Sequence, residues 1–325
     1  VADMPKPHYD IRVTSSHLDT DDLKIFADLA KAKRTGTSPD LTVKATIHAL
    51  EGKLQSVPYH NLSADLSWRQ ETLYVDSLRF NALDGNVSGR GRVVLKESAE
   101  PQYQFDLDVD KISAGQAMAM AGLDPELMTG ELNMKGSLAG SGTRLADLKR
   151  TASGTVNLRA DKGTLRKFQV LSKVFSILNV SQLFKFQLPD MVSGGMPYSQ
   201  ITGRFTLKDG ILASDDLYVK SDAMNITIIG KVDLVRGELE ETIGVQPLQT
   251  VDKVVSHIPV VGWILTNETN SLVSMYFTAK GKWDNPDVQA VPVKDMAEGV
   301  LNIFRRLFQL PVKLITDTGD VILGR

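Results

Sequence analysis

Histidine and carboxylate side chains are the groups in this sequence that could bind a metal ion or transfer protons, and their spacing points to neither task. The five histidines are His8, His17, His48, His60 and His257. None of them belongs to a metal-ligand pair such as H-E-x-x-H. Asp106, Asp108 and Asp110 alternate along a strand-like segment, whereas a calcium site needs ligands that converge from a loop. We therefore expect these aspartates on a solvated strand face and predict no metal site.

Signatures of nucleophilic and nucleotide chemistry are also missing from the sequence. It has no cysteine, no G-x-S-x-G nucleophile elbow and no G-x-x-x-x-G-K-[ST] phosphate loop. Gly89 and Gly91 lie between two strand-like segments, where glycine lets neighbouring strands approach closely. The net charge of −2 gives no basic footprint for nucleic acid. The sequence therefore predicts a protein that is not an enzyme and that has no cofactor and no nucleic-acid partner.

Most of the chain alternates between apolar and polar residues, which is the pattern of half-buried antiparallel strands. Leu62, Ala64, Leu66 and Trp68 alternate with small or charged residues, and Tyr103 begins a second series of this kind. One face of each strand is therefore apolar. That face would meet a second sheet in a sandwich or line a groove in an open sheet, and alternation alone does not separate the two.

An internal repeat indicates how these strands are organised. Residues 61–95 align without a gap to residues 200–234, an offset of 139 positions, and both copies follow the order strand, turn, strand, strand, turn, strand. A reused meander favours an elongated architecture in which each unit contacts mainly its neighbours. We predict a mainly β fold: an elongated, curved antiparallel sheet of repeated meander units that forms an apolar groove, with a few short helices and a C-terminal amphipathic helix.

Three segments before the tail have helical character. Ser113 is positioned to cap a helix over residues 114–121, which would end at Gly122. Residues 167–186 place apolar side chains on one side of a longer helix, and residues 254–265 are expected to be helical in part. The last of these segments is followed by strands, which we expect to resume over residues 272–281.

The tail and the break near residue 190 suggest three sections. These are an N-terminal β-groove section (1–190), a C-terminal β section (191–292) and a helical tail (293–325). The tail spaces apolar residues as one side of a helix over 293–310. About 16 helical residues at 1.5 Å each reach only about 24 Å, which is too short to cross a bilayer. It would either cap the sheet or lie in a membrane interface. The residues predicted to contact a membrane are Val300, Phe304, Arg305, Arg306, Leu307 and Phe308.

The C-terminal half of the sequence resembles the AsmA-like C-terminal region of large envelope proteins of the AsmA, YhdP and TamB type. The resemblance is carried by a short helix segment, by a glycine–aromatic–strand order, by a G-x-[VI]-D-L step, and by closing P-V-x-G and G-x-W-x-[DN]-P-x-V signatures. These motifs stand at 174–179, 195–212, 228–240, 258–265 and 279–288. The matching residues run from Val174 to Pro292, which is more than a third of the chain, while the N-terminal half carries only the general strand pattern.

This resemblance implies a function as well as a fold. Members are similar to bridge-like lipid transfer proteins, whose repeated β-grooves carry phospholipid between the inner and outer membranes. It implies a periplasmic protein of the bacterial envelope, with an inner-membrane anchor in a longer parent, of which this chain would be a C-terminal piece. The implied partners are phospholipid acyl chains, the outer-membrane surface through the C-terminal helix, and other envelope proteins.

Apolar residues on the alternating strands are the candidates to line such a groove, with packing in an ordinary core as the alternative. The predicted lining residues are Leu62, Leu66, Leu73, Val75, Phe80, Val87, Val93, Phe105, Leu107, Val109, Leu132, Met134, Val156, Leu158, Phe205, Leu207, Ile226, Ile228, Val232, Met275 and Phe277.

Two other functions compete with lipid transport. The first is a periplasmic scaffold that assists outer-membrane protein assembly, which the TamB-type resemblance also suggests and which would use open sheet edges. The second is a carbohydrate-binding or hydrolytic β-domain. Its support is weak, because the chain has three tryptophans and no carboxylate pair that the sequence shows to converge.

Overall fold

A single β-sheet organises the chain. The computed structural model describes residues 8–19, 42–54, 57–96, 99–180, 194–248, 264–266 and 273–309. The strands in these ranges are β1 (His8–His17), β2 (Thr42–Leu54), β3 (Val57–Arg69), β4 (Thr72–Ala82), β5 (Gly85–Val94), β6 (Gln102–Ser113), β7 (Glu131–Ser141), β8 (Ser153–Leu165), β9 (Met196–Lys208), β10 (Ile211–Lys220), β11 (Met224–Asp233), β12 (Glu238–Pro247), β13 (Ile264–Thr266), β14 (Val273–Lys282) and β15 (Asp287–Ala290). The helices are α1 (Ala114–Met120), α2 (Leu145–Thr151), α3 (Gln169–Val180), a 3-10 turn (Val293–Asp295) and α4 (Glu298–Gln309).

The strands pair in the order in which they occur in the chain. From β1 to β12 each described strand lies beside the next, β14 follows β12, and both β13 and β15 pair with β14. The long open sheet of meander units that the sequence predicts is therefore confirmed. One pairing differs, because β1 and β2 are parallel. A parallel neighbour needs a long crossover, and residues 18–41 separate these two strands, whereas tight turns join most of the antiparallel pairs.

The repeat found in the sequence is confirmed strand by strand. Shifting the bounds of β3 and β5 by 139 positions reproduces those of β9 and β11. Each copy also carries a bulge in its middle strand at the same place, between Val75 and Leu78 in β4 and between Ser214 and Leu217 in β10. Because a bulge bends its strand and increases the local twist, both units curve at equivalent positions.

A buried tyrosine is a further shared feature of the two units. The Tyr59 hydroxyl donates to the Leu18 carbonyl at 2.5 Å, and the Tyr198 hydroxyl donates to the Thr129 carbonyl at 2.5 Å. These tyrosines stand 139 positions apart, just before the aligned segments, so the structural repeat extends beyond the stretch that the sequence revealed. Burial raises the pKa of the Tyr198 hydroxyl, which keeps it a neutral donor.

The short helices lie in the connections between strands. Helix α1 is capped by Ser113 Oγ, which accepts from the Gln116 N–H, and it is followed by Gly122 with φ +77°, as expected from the sequence. Helix α2 was not expected. Its Thr151 hydroxyl donates to the Ser141 carbonyl at 2.7 Å and thereby ties the end of the helix to the end of β7. Of the segment expected to be helical in part over residues 254–265, Ile264 and Leu265 belong to strand β13, which pairs with β14, and residues 254–263 lie outside the described ranges.

Helix α3 packs on the apolar face of the sheet, which we define as the face that carries Leu66, Phe105 and Leu207. It occupies the central part of the expected helix, and residues 181–186 lie outside the described ranges. Its buried side chains are Val170, Leu171, Val174, Phe175 and Leu178, which share one core with residues from β6 through β14.

Helix α3 also reaches the far end of the sheet. The Lys173 ammonium donates to the Asn285 side chain at 2.7 Å and to the Pro286 carbonyl at 2.5 Å, in the turn before β15. Six strand spacings of about 4.8 Å separate β8 from β15 along the sheet. The same helix follows β8 and touches the turn before β15, so the C-terminal strands curl around it. The predicted section boundary near residue 190 falls between β8 and β9, which pair directly, so the two β sections share one sheet.

Candidate functional site

The apolar face carries an uninterrupted row of residues without polar side chains. We call this the first row; it follows the cross-strand register through twelve strands. Its members are Ala45, Leu66, Val75, Gly91, Phe105, Leu138, Gly154, Leu207, Leu212, Val232, Leu239 and Gly281. Eleven strand spacings of about 4.8 Å give this row a length of about 50 Å. The hydrocarbon of one bilayer leaflet is only about 15 Å thick. The row is thus long enough to hold several acyl-sized chains in series.

A second row beside it has the same character until it reaches the bulge in β10. Its members from β2 to β9 are Ile47, Ala64, Leu78, Gly89, Leu107, Gly136, Val156 and Phe205. Beyond the bulge it continues through Ser214, Gly230, Glu241, Ala279 and Val288. Within these described strands, Glu241 is the only ionisable residue in either row.

Glycines on this face make room for large side chains on the next strand. A Cβ at Gly91 would overlap the Phe105 ring, and a Cβ at Gly89 would lie 2.9 Å from Leu107 Cδ2. The aromatic and aliphatic side chains therefore lie down over the neighbouring strand. The result is a smooth apolar wall, and the role expected for these glycines, close approach between strands, is confirmed.

All 21 predicted lining residues lie on the apolar face, but they divide into two sets by burial. The half-buried set is Leu66, Leu73, Val75, Phe80, Val87, Val93, Phe105, Leu107, Met134, Val156, Leu158, Phe205, Leu207, Ile228 and Val232. These side chains keep an exposed apolar surface. The half of the face that they occupy is therefore open in the described structure.

The other lining candidates are buried in the described structure, which corresponds to the core alternative stated for them. Val109, Leu132, Ile226, Met275 and Phe277 are buried in the core that contains α3. Leu62 is buried in a separate cluster that includes Tyr59. The alternation of the strands cannot distinguish these positions from the open ones, because α3 covers one end of the strands from β6 to β14 and leaves their other end exposed.

Several residues of the open face were missed in the sequence. Leu78, Leu138, Leu212 and Leu217 are half-buried on the apolar face. Each follows the same alternation as its predicted neighbours, so the signal was present. The glycines of the two rows also belong to the wall. Alternation of apolar side chains does not reveal them, because glycine has no side chain.

Glu241 is the ionisable exception to the apolar character of the two rows. Its neighbours across the strands are Gly230 and Ala279, and Ile243, two residues along β12, is fully buried. No hydrogen bond or ion pair joins its carboxyl group to another described residue. Burial raises the pKa of Glu241 from 4.5 to about 7, because desolvation disfavours the charged form.

The opposite face, which carries Asp106, Thr227 and Tyr276, holds paired charges. Asp106 accepts from Ser137 Oγ at 2.6 Å and from Arg90 Nε at 3.1 Å, and both contacts hold its pKa below the ordinary value. Asp108 forms an ion pair of 3.6 Å with Lys135. Two of the three aspartates of β6 are therefore matched by cross-strand partners, and the structure places the row on the solvated face as expected.

Helix α4 packs on this opposite face near the C-terminal end of the sheet. Phe304 is fully buried against Tyr276, with ring centroids 5.0 Å apart, and Leu301 is buried with them. Of the predicted membrane contacts, Phe304 and Leu307 are buried, Val300 and Phe308 are half-buried, and Arg305 and Arg306 are exposed. Phe304 and Leu307 are thus not available to a membrane while the helix stays on the sheet. This arrangement matches the capping alternative.

Gly244 is the residue that lets α4 approach the sheet. A Cβ at this position would lie 2.8 Å from two carbons of the Phe304 ring and 3.1 Å from Phe308 Cε2. We predict that Gly244→Ala lowers the free energy of unfolding by about 1 to 2 kcal/mol through overpacking. Chemical denaturation would measure it, with Gly299→Ala as the control because a Cβ there meets nothing within 4 Å. An equal effect of both changes would contradict the close packing of α4.

No group of three or more histidine or acidic residues in the described ranges could hold a metal ion. None of the described helices combines the length and the apolar content that crossing a membrane would require.

Comparison with known proteins places the chain in a family. The family model described as YhdP protein matches residues 3–288. No curated protein and no solved structure matches the chain. The matched span covers most of the sequence, including β1 to β14 and the part of the N-terminal half that showed only a general strand pattern. The chain therefore belongs to the YhdP protein family, an AsmA-like family of bacterial envelope proteins.

Proposed function

We propose that this chain binds phospholipid acyl chains on its apolar face and passes them between the inner and outer membranes, without catalysis. The observation that carries the proposal is the first row, which crosses twelve strands without a polar side chain and is half-buried along much of its length. Membership of an AsmA-like envelope family supports the same reading.

The chemistry of such a surface suits transport better than storage. Removing apolar surface from water contributes roughly 25 cal/mol per Å², so an acyl chain gains from contact anywhere along the wall. Both rows are uniform from β2 to β9 and offer no polar group that would hold a lipid at one position. Binding is therefore distributed and repeated, and a lipid can move along the wall by exchanging one apolar contact for another.

The direct test is to purify the protein under mild conditions and measure co-purified phospholipid by extraction and native mass spectrometry. We expect lipid in stoichiometric amounts, and we predict that Phe105→Asp lowers the bound lipid at least about fivefold, because a carboxylate in an apolar wall is costly to desolvate. Gln104→Asp is the matched control, since Gln104 is exposed on the opposite face of the same strand.

Two outcomes would count against lipid transport. If Phe105→Asp unfolds the protein while Gln104→Asp does not, the wall acts as core. If the unmodified protein carries no lipid and crosslinks to a β-barrel client, the scaffold function becomes the better candidate. Contact of α4 with the outer-membrane surface remains part of the proposal, with the exposed Arg305 and Arg306 as the residues that would meet phosphates.

A further inference from the structure

Glu241 is the one described position where the two rows of the apolar face offer a charge to a ligand. It lies on β12, beyond the bulge that ends the uniform part of the second row. Its side chain is only partly exposed, and it stands between Leu239 of the first row and the fully buried Ile243. Leu239, Ile243 and Ala279 all belong to the core around α3, so the carboxyl group lies in the part of the face that this core occupies and is itself only partly exposed.

The residues that face Glu241 are uncharged and offer its carboxyl group no ion-pair partner. Across β11 and β14 stand Gly230 and Ala279, and behind them lie Ser214 on β10 and Val288 on β15. None of these side chains is ionisable. The Ser214 hydroxyl contacts Asp216 Oδ1 at 3.2 Å, so it already has a partner within its own strand.

The lysines near this part of the sheet are committed elsewhere. Lys231 and Lys280 form ion pairs of 3.1 and 3.0 Å with Glu240, on the opposite face. Lys173 of α3 donates to Asn285 and to the Pro286 carbonyl. Among the described residues, the cations on the strands and the helix around Glu241 therefore do not neutralise its carboxylate.

A carboxyl group in such a place is stabilised only by a proton or by a cation that arrives with a ligand. We infer that Glu241 binds the ammonium group of a zwitterionic aminophospholipid whose acyl chains lie along the apolar rows. This inference rests on the proposed function. It adds selectivity: an anionic lipid without an amine would meet repulsion from Glu241, whereas an aminophospholipid would form a charge-assisted hydrogen bond.

The test measures which lipids the purified protein extracts from vesicles that contain equal amounts of phosphatidylethanolamine and phosphatidylglycerol. At pH 8 we expect the unmodified protein to favour phosphatidylethanolamine, and we expect Glu241→Gln to reduce that ratio by about tenfold, the factor for one hydrogen bond to a charged group. Glu240→Gln is the matched control, because it changes the adjacent residue on the opposite face and should leave the ratio unchanged.

The pH dependence gives a second readout. The preference of the unmodified protein should be lost at pH 5, where the Glu241 carboxyl is protonated, while Glu241→Gln should show the same ratio at both pH values. An unchanged ratio in Glu241→Gln at pH 8, or no preference in the unmodified protein, would overturn the inference. In either case normal total lipid per protein would leave the proposed function standing, whereas the absence of any extracted lipid would overturn both.

Discussion

Replacing Val174 with aspartate is expected to lower the free energy of unfolding by about 4 kcal/mol or more. Val174 is fully buried where α3 meets the sheet, in the same core as Phe277 and Ile243. A carboxylate there would lose its water without gaining a partner, and the apolar contacts of the valine would be lost as well. Denaturant-induced unfolding, followed by circular dichroism, would measure the effect.

The control for this change lies on the same helix. Ser176 is exposed, so Ser176→Asp introduces the same charge two residues away without burial and should change stability little. If both substitutions had equal, small effects, α3 would not be packed on the apolar face, and the division of that face into a covered and an open half would be wrong. A large loss for Val174→Asp alone would support the covering role of α3.

Replacing Glu241 with glutamine is expected to stabilise the protein at pH 8 and to have little effect at pH 4. The folded-state pKa is raised from 4.5 to about 7, so the fold favours the protonated acid. The stability that the protonated Glu241 carboxyl contributes is fully present below pH 4.5 and is lost as the pH rises to about 7. Glutamine remains neutral throughout, so its advantage at pH 8 should be on the order of 2 kcal/mol, after some reduction for partial exposure.

Unfolding curves at pH 4, 6 and 8 would test this prediction without any lipid. Glu240→Gln is again the comparison, because Lys280 and Lys231 hold the pKa of Glu240 below its ordinary value. Removing that carboxylate should cost a little stability at pH 8, which is the opposite sign. Parallel pH dependence in the unmodified protein and Glu241→Gln would show that the carboxyl group is well solvated, and the inference drawn from its position would then lose its physical basis.

The strands and the repeat were predictable because their signals are local. Alternation places Leu66 and Phe105 on the same face as the other apolar residues of their strands, independently of the rest of the chain, since successive side chains of a strand point to opposite faces. The 139-residue repeat likewise located β9 to β11 from β3 to β5, because equivalent turns and apolar positions recur in both units. The sequence by itself therefore determined the class of fold, the composition of the apolar face and the existence of α1, α3 and α4.

The tertiary structure decided which parts of that face are covered. Met275 and Leu207 follow the same alternation, yet the first is buried in the core around α3 and the second is half-buried on the open side. The apolar side of helix α4 could have packed on a membrane or on the sheet. It packs on the sheet, where Gly244 has no side chain in the space that the Phe304 ring occupies. The parallel pairing of β1 and the isolation of Glu241 also depend on partners distant in sequence. Periodicity records which side chains share a face, whereas burial depends on which distant element packs against that face.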